Sequence, residues 1–154
     1  MIQSNISKEL KKLSKNKLFR FTVIILIFIL LKSQSISYKF SDENLYFYIG
    51  KVILNGEIPY KDFFFANPPL QVYLISILMK IVGKNLLLIK LLPIACSILS
   101  AFFIFLLLQE MKTKPQQGLI ASILFLFSFA TLVTTDYSTG VHLTILFLLI
   151  SLYY

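Results

Sequence analysis

From Phe21 to the last residue, long apolar runs recur along the chain without strict alternation. Alternation of period two marks half-buried strands, so uninterrupted runs of this kind predict helices. Four of them read as membrane spans. The first covers residues 18–34, with an apolar core at 21–31 that Arg20 and Lys32 lengthen by snorkelling toward opposite interfaces. The second, 86–108, should bend at Pro93. The third covers 118–133, and the fourth begins near Val141 and is still apolar at Tyr154.

Between the first two runs the pattern changes. Ser41 followed by Asp42 and Glu43 predicts a helix start, a hydroxyl cap with two acids in the first turn. Leu45, Tyr48, Ile49, Val52 and Ile53 then recur at helical spacing, with Asn44, Lys51 and Asn55 toward the other side. This is an amphipathic helix of about 14 residues, closed by Gly56 and barred from continuing by Pro59. Pro68 and Pro69 open a second helix over 70–82, ended by Gly83-Lys84-Asn85. At about 1.5 Å per residue it reaches roughly 20 Å, short of a hydrocarbon core of about 30 Å. Tyr73, Ser76 and Lys80 share one of its faces, and it reads as a second interfacial helix, a short tilted span being the alternative.

Composition fixes the solvent. The chain is 57% hydrophobic, with 15 Phe and no Trp in 154 residues, and its mean hydropathy is +0.80. A soluble domain of this length has too little interior to bury so much apolar surface, and in lipid only helices and closed barrels satisfy the backbone. The expected fold is all-α: polytopic transmembrane helices, about four spans, with one or two interfacial amphipathic helices in the first exterior loop. The net charge of +8 belongs to this picture. Lys8, Lys11, Lys12, Lys15, Lys17 and Arg20 cluster ahead of the first run, which places the N-terminus in the cytoplasm and argues against nucleic acid as a partner.

The chain then divides into a basic cytoplasmic tail, 1–17, and a transmembrane region, 18–154, with an exterior loop over 35–85. Ser33–Ser37 lacks an Ala-x-Ala-like cleavage site, which favours a retained anchor over a signal peptide. Lys112 and Lys114 fall in a cytoplasmic loop if 70–82 stays at the surface, and outside if it spans. The fourth run has no polar flank, so the transmembrane region reads as incomplete. The expected location is the cell membrane, multi-pass.

Candidate chemistry is sparse. The sequence holds no phosphate loop, no paired CxxC, no HExxH and no Gly-x-Ser-x-Gly. Cys96, the single cysteine, lies within an apolar run and reads as a small buried hydrophobe. His142, also single, has no partners for a metal site and reads as structural or polar lining. No motif specifies a cofactor, and a divalent metal stays open. What remains is a set of carboxylates on the exterior side: Asp42, Glu43, Glu57, Asp62 and Asp136. Singly, each has a bland explanation, since acids at a helix start are what its dipole favours.

Their setting is more specific. Asp42-Glu43, then Tyr46, Gly50, Ile53-Leu54-Asn55-Gly56, Pro59-Tyr60-Lys61-Asp62-Phe63, Asn67-Pro68-Pro69-Leu70, Tyr73-Leu74, Gly83 and Lys90-Leu91-Leu92-Pro93 follow one another in order. This succession resembles the amino-terminal region of the polytopic GT-C glycosyltransferases, the superfamily of protein O-mannosyltransferases and aminoarabinose lipid A transferases. The resemblance covers roughly residues 15–154. Lys90 stands where the family usually has Arg, which keeps the charge and loses the bidentate fork.

The resemblance implies transfer of a sugar from a polyprenyl-phosphate-linked donor to a lipid, glycan or protein acceptor at the exterior face of the bilayer. Such a reaction needs a carboxylate as general base for the acceptor hydroxyl and positive or dipolar stabilisation of the phosphate that leaves. By position in the family pattern, Asp42 is the expected base and Glu43 its substitute. Asp136 is a second acid expected to orient a substrate, and Lys90 a cation for the lipid phosphate. Asp62 and Tyr60 are expected among the substrate-binding residues, shaping the loop or seating it in the interface, and Phe63, Phe64 and Phe65 would seat it there. Family members have more spans than four, so a chain of this length is expected to be inactive alone. The rival expectation is a small non-catalytic membrane protein, an assembly or transport subunit whose acids only cap helices.

Overall fold

The computed structural model describes residues 2–36, 42–83 and 85–154. Within them the fold is all-helical, with one isolated bridge between Pro59 and Phe63. The helices are α1 Ile2–Ser35, α2 Glu43–Leu54, α3 Leu70–Val82, α4 Leu86–Ile89, α5 Leu91–Glu110, α6 Pro115–Leu126, α7 Phe129–Thr134 and α8 Val141–Tyr153. The expected basic tail and first span run together as the single helix α1, 34 residues long.

Two packed units build the molecule. α5 is the hub, with α6 and α8 against it and α1 lying over α5 and α6, while α2 packs along α3, which also touches α4. Where α5 meets α6, the contact is made of small residues. Ser100, Ala101 and Ser122 are fully buried, and the Ser122 hydroxyl donates to the Ala101 carbonyl at 2.8 Å. Small side chains let two backbones approach, and close approach is what holds helices together in lipid. Around this seam Phe21, Phe28, Ile94, Leu119 and Leu126 form one apolar cluster. A second, of Phe47, Ile75, Met79 and Ile89, ties α2 and α3 to α4.

The outside is as apolar as the inside. Leu26, Leu30, Ile77, Ile81, Leu124, Leu148 and Leu152 stand exposed on helix surfaces, which water would penalise and lipid accepts. The stretch Leu86–Glu110 is long and apolar enough to cross a membrane, whereas Leu70–Val82, Pro115–Leu126 and Val141–Tyr153 are shorter apolar helices.

Breaks in the helices carry the main differences from expectation. The second run is interrupted at Lys90, between α4 and α5, rather than bent at Pro93 itself. Pro93 has no N–H to give the carbonyl of Ile89, one turn earlier, so the ladder opens on its N-terminal side. The third run is not one helix either. It stops after Leu126 and resumes at Phe129, because Ser128 turns extended (φ −63°, ψ 145°) and its hydroxyl accepts from the Thr131 N–H at 3.2 Å as a cap.

Lys32 departs further. Instead of snorkelling it is buried, donating to the Leu132 carbonyl at 2.6 Å and ion-paired with Asp136. Of the three phenylalanines expected at the interface, Phe64 is exposed while Phe65 is buried against Ile49 and Val72.

Candidate active site

The acids expected to do chemistry lie at one end of the fold, where α2 begins, α4 gives way to α5, and residues 135–140 connect α7 to α8. α2 starts at Asp42, whose backbone carbonyl accepts from Leu45 and Tyr46 at 3.0 and 3.3 Å. Its side chain makes no capping hydrogen bond and is exposed. Ser41, expected as the cap, lies outside the described residues. Helix capping therefore does not account for the Asp42 carboxylate.

Glu43 has the opposite fate. Its side chain is 1% exposed and lies 2.8 Å from Lys90 Nζ, itself 2% exposed. The Ser138 N–H donates to the other oxygen of Glu43 at 3.4 Å. Gln71 continues the network, its side-chain N–H group donating to the carbonyl and hydroxyl oxygens of Ser138 at 3.3 and 3.4 Å. Lys90, Glu43, Ser138 and Gln71 thus join the α4–α5 break, α2, the α7–α8 connection and α3. Lys90, expected to meet a lipid phosphate, sits at the α4–α5 break with its side chain buried against Glu43.

Gly140 makes the last of these contacts sterically feasible. Its φ of 90° is left-handed, and a Cβ there would lie 3.3 Å from Cβ of Gln71. The oxygen of the Gln71 amide is buried with no hydrogen-bond partner, and Gln71 and His142 both border a void of about 10 Å³, close to the volume of one water.

The other expected residues are placed differently. Asp136 is held by Lys32 and by the Ser35 hydroxyl, which donates to it at 2.9 Å, so this acid fastens the α7–α8 connection to the end of α1. Asp62 accepts from the Ile58 N–H at 2.8 Å and closes the turn 58–62. Tyr60 sits at φ 67° and donates its hydroxyl hydrogen to the Asn67 carbonyl at 2.5 Å. Both residues shape their own loop. His142 bridges helices, with Nδ1 2.8 Å from the Ser97 hydroxyl and Nε2 2.9 Å from the Thr134 hydroxyl.

Near the start of α2 is a cleft of about 270 Å³ whose lining includes Tyr46, Asn67, Gln71, Thr139, Thr144 and Phe147. Tyr46 lies one turn along α2 from Asp42, on the same face. Burial first, and then the negative charge of Asp42, push its phenol above the usual 10.0. Among the described residues no three of His, Cys, Asp and Glu come together to hold a metal ion.

Sequence reasoning overlooked Gln71, Ser138 and the pairing role of Lys32. Gln71 left a signal: it falls in step with Ile75 and Met79 on the buried stripe of α3, a polar residue at an apolar position. Ser138 acts mainly through its backbone, which sequence does not mark.

An all-helical fold with apolar helix surfaces exposed and acids held by buried ion pairs is consistent with a GT-C-type membrane protein. The chain belongs to the dolichyl-phosphate-mannose-protein mannosyltransferase family, whose pattern it matches over residues 66–154. No curated protein and no solved structure matches it. Asp42 and Glu43 precede the matched stretch, and the Glu43–Lys90 pair ties them to it.

Proposed function

We propose that the chain forms part of a membrane glycosyltransferase that moves a sugar from a polyprenyl-phosphate-linked donor to an acceptor hydroxyl, with Asp42 as general base. The observation that carries this is the contrast among the acids together with position. Glu43, Asp62 and Asp136 are engaged in ion pairs or turn hydrogen bonds, Asp42 and Glu57 are exposed, and of these two only Asp42 lies one helical turn from Tyr46, which lines the cleft. In the transfer, the acceptor oxygen bonds to the anomeric carbon and the bond from that carbon to the phosphate oxygen breaks. The hydroxyl proton passes to the Asp42 carboxylate, and polyprenyl phosphate leaves with the bonding pair.

Glu43 and Lys90 are positioning residues in this reading. Lys90 neutralises Glu43, which leaves Asp42 beside a compensated neighbour instead of a second bare carboxylate. Asp136, through Lys32, fixes the connection that forms the far wall of the cleft. The N-terminus is assigned to the cytoplasm and the Asp42 end to the opposite face of a multi-pass fold, in keeping with the basic flank before α1.

Membranes from cells carrying the gene at its own locus, given radiolabelled polyprenyl phosphate mannose, test the assignment. They should transfer label to an endogenous acceptor, and membranes from a deletion strain should not. Equal transfer by both would remove the enzymatic reading and leave the non-catalytic subunit in its place.

A further inference from the structure

At the other end of the bundle, α1 and α6 part to leave a groove of about 520 Å³ lined by Phe19, Arg20, Val23 and Ile24 on one side and Gln116, Leu119, Ile120 and Ile123 on the other. The lining is carbon except at one end. There Arg20 and Gln116 face across the groove, and the exposed Lys112 and Lys114 occupy the turn that leads into α6. The acid nearest in sequence is the exposed Glu110 at the end of α5, so cations outnumber it locally.

An apolar slot about two helical turns deep, headed by cations, has the two-part chemistry of an anionic glycerophospholipid: a chain for the slot and a phosphate for the charges. Neither a zwitterionic lipid nor a water-soluble anion matches both parts equally well. We propose that this groove is a binding site for an anionic phospholipid, one acyl chain lying between α1 and α6 and the headgroup phosphate on Arg20 with Lys114 beside it. The site is separate from the Asp42 cleft and does not depend on the reaction assigned there.

The chain contains no tryptophan, so a single introduced one reports on its surroundings without background. Phe19→Trp places the reporter on the groove as an aromatic-for-aromatic exchange at an exposed position, and Leu148→Trp places one on the exposed side of α8 as a control. Each full-length variant is reconstituted in mixed vesicles of phosphatidylglycerol and phosphatidylcholine, with one lipid or the other brominated in its chains. Fluorescence quenching then gives the lipid preference at each site.

At Phe19→Trp, brominated phosphatidylglycerol should be preferred over brominated phosphatidylcholine about fivefold, the order expected for one cation near a lipid phosphate. The preference should fall toward unity in Phe19→Trp with Arg20→Gln, and in high salt. The Leu148→Trp control should show no preference. Equal quenching by the two lipids at Phe19→Trp, the same preference at Leu148→Trp, or a preference indifferent to salt would each overturn the site. A groove already filled by protein would give no quenching difference and so also counts against it. If Arg20→Gln fails to accumulate, the salt series on Phe19→Trp alone decides.

Discussion

Replacing Lys90 by Met keeps most of the length of the side chain and removes its charge. Glu43 then loses its 2.8 Å contact with the Lys90 ammonium group at a site where its side chain is 1% exposed. Breaking a buried pair by removing one partner typically costs about 3–5 kcal/mol, because an uncompensated charge stays behind. Neutralising both partners removes that charge as well, so Glu43→Gln with Lys90→Met should recover most of the loss and fall within about 1.5 kcal/mol of the parent. Thermal denaturation of a fluorescent-protein fusion in mild detergent, followed by size-exclusion chromatography, compares the parent, both single variants and the double. The cycle should give a coupling energy of at least about 1.5 kcal/mol between the two positions. A loss below about 1 kcal/mol for Lys90→Met, or single effects that simply add, would show that the pair does not hold α2 to the α4–α5 break.

Gly50→Val should push α2 away from α3, since a Cβ there would lie 2.6 Å from Cγ2 of Ile75. A loss of about 1–3 kcal/mol in the same melts is expected, and unchanged stability would refute the close approach. For topology, Asn55→Cys should react with a membrane-impermeant thiol reagent from outside and Gln116→Cys should not. The native Cys96 is buried and stays silent, and labelling of position 116 from outside would reverse the assigned faces. Tyr46 gives a pH test. Its folded value is raised, so its contribution to stability is present below the ordinary 10.0 and is lost as the pH climbs through the higher folded value. Absorbance titrations referenced to Tyr46→Phe should show its midpoint falling in Asp42→Asn while burial, the larger cause, keeps it above the ordinary value. An unmoved midpoint would separate Asp42 from the cleft.

Local punctuation in the sequence was a good guide to α2 and α3. Pro69 and Gly83 bound α3 where proline and glycine chemistry puts them, and Gly56, at φ 103°, ends the α2 segment as a left-handed residue. What escaped was set by contacts distant in sequence. Lys32 is recognisable as a snorkelling residue from its neighbours alone, and only the approach of the α7–α8 connection makes it a buried partner of Asp136. Ser128 sits in an uninterrupted apolar run, so hydropathy could not reveal that its hydroxyl would cap a new helix. The exposure of Asp42 and the burial of Glu43 likewise follow from which of two adjacent acids faces Lys90, and periodicity does not distinguish two residues at a helix start.

Asp42→Asn tests the central claim most directly. Asn keeps the size of the side chain and any capping capacity while removing the base. Measured in membranes where the protein accumulates to the parental level, transfer of sugar from polyprenyl phosphate mannose should fall by about 10² or more. Glu57→Gln, an exposed acid beside the turn after α2, should transfer at nearly the parental rate. Parental transfer by Asp42→Asn at normal protein level would contradict the assignment of Asp42 as the catalytic base.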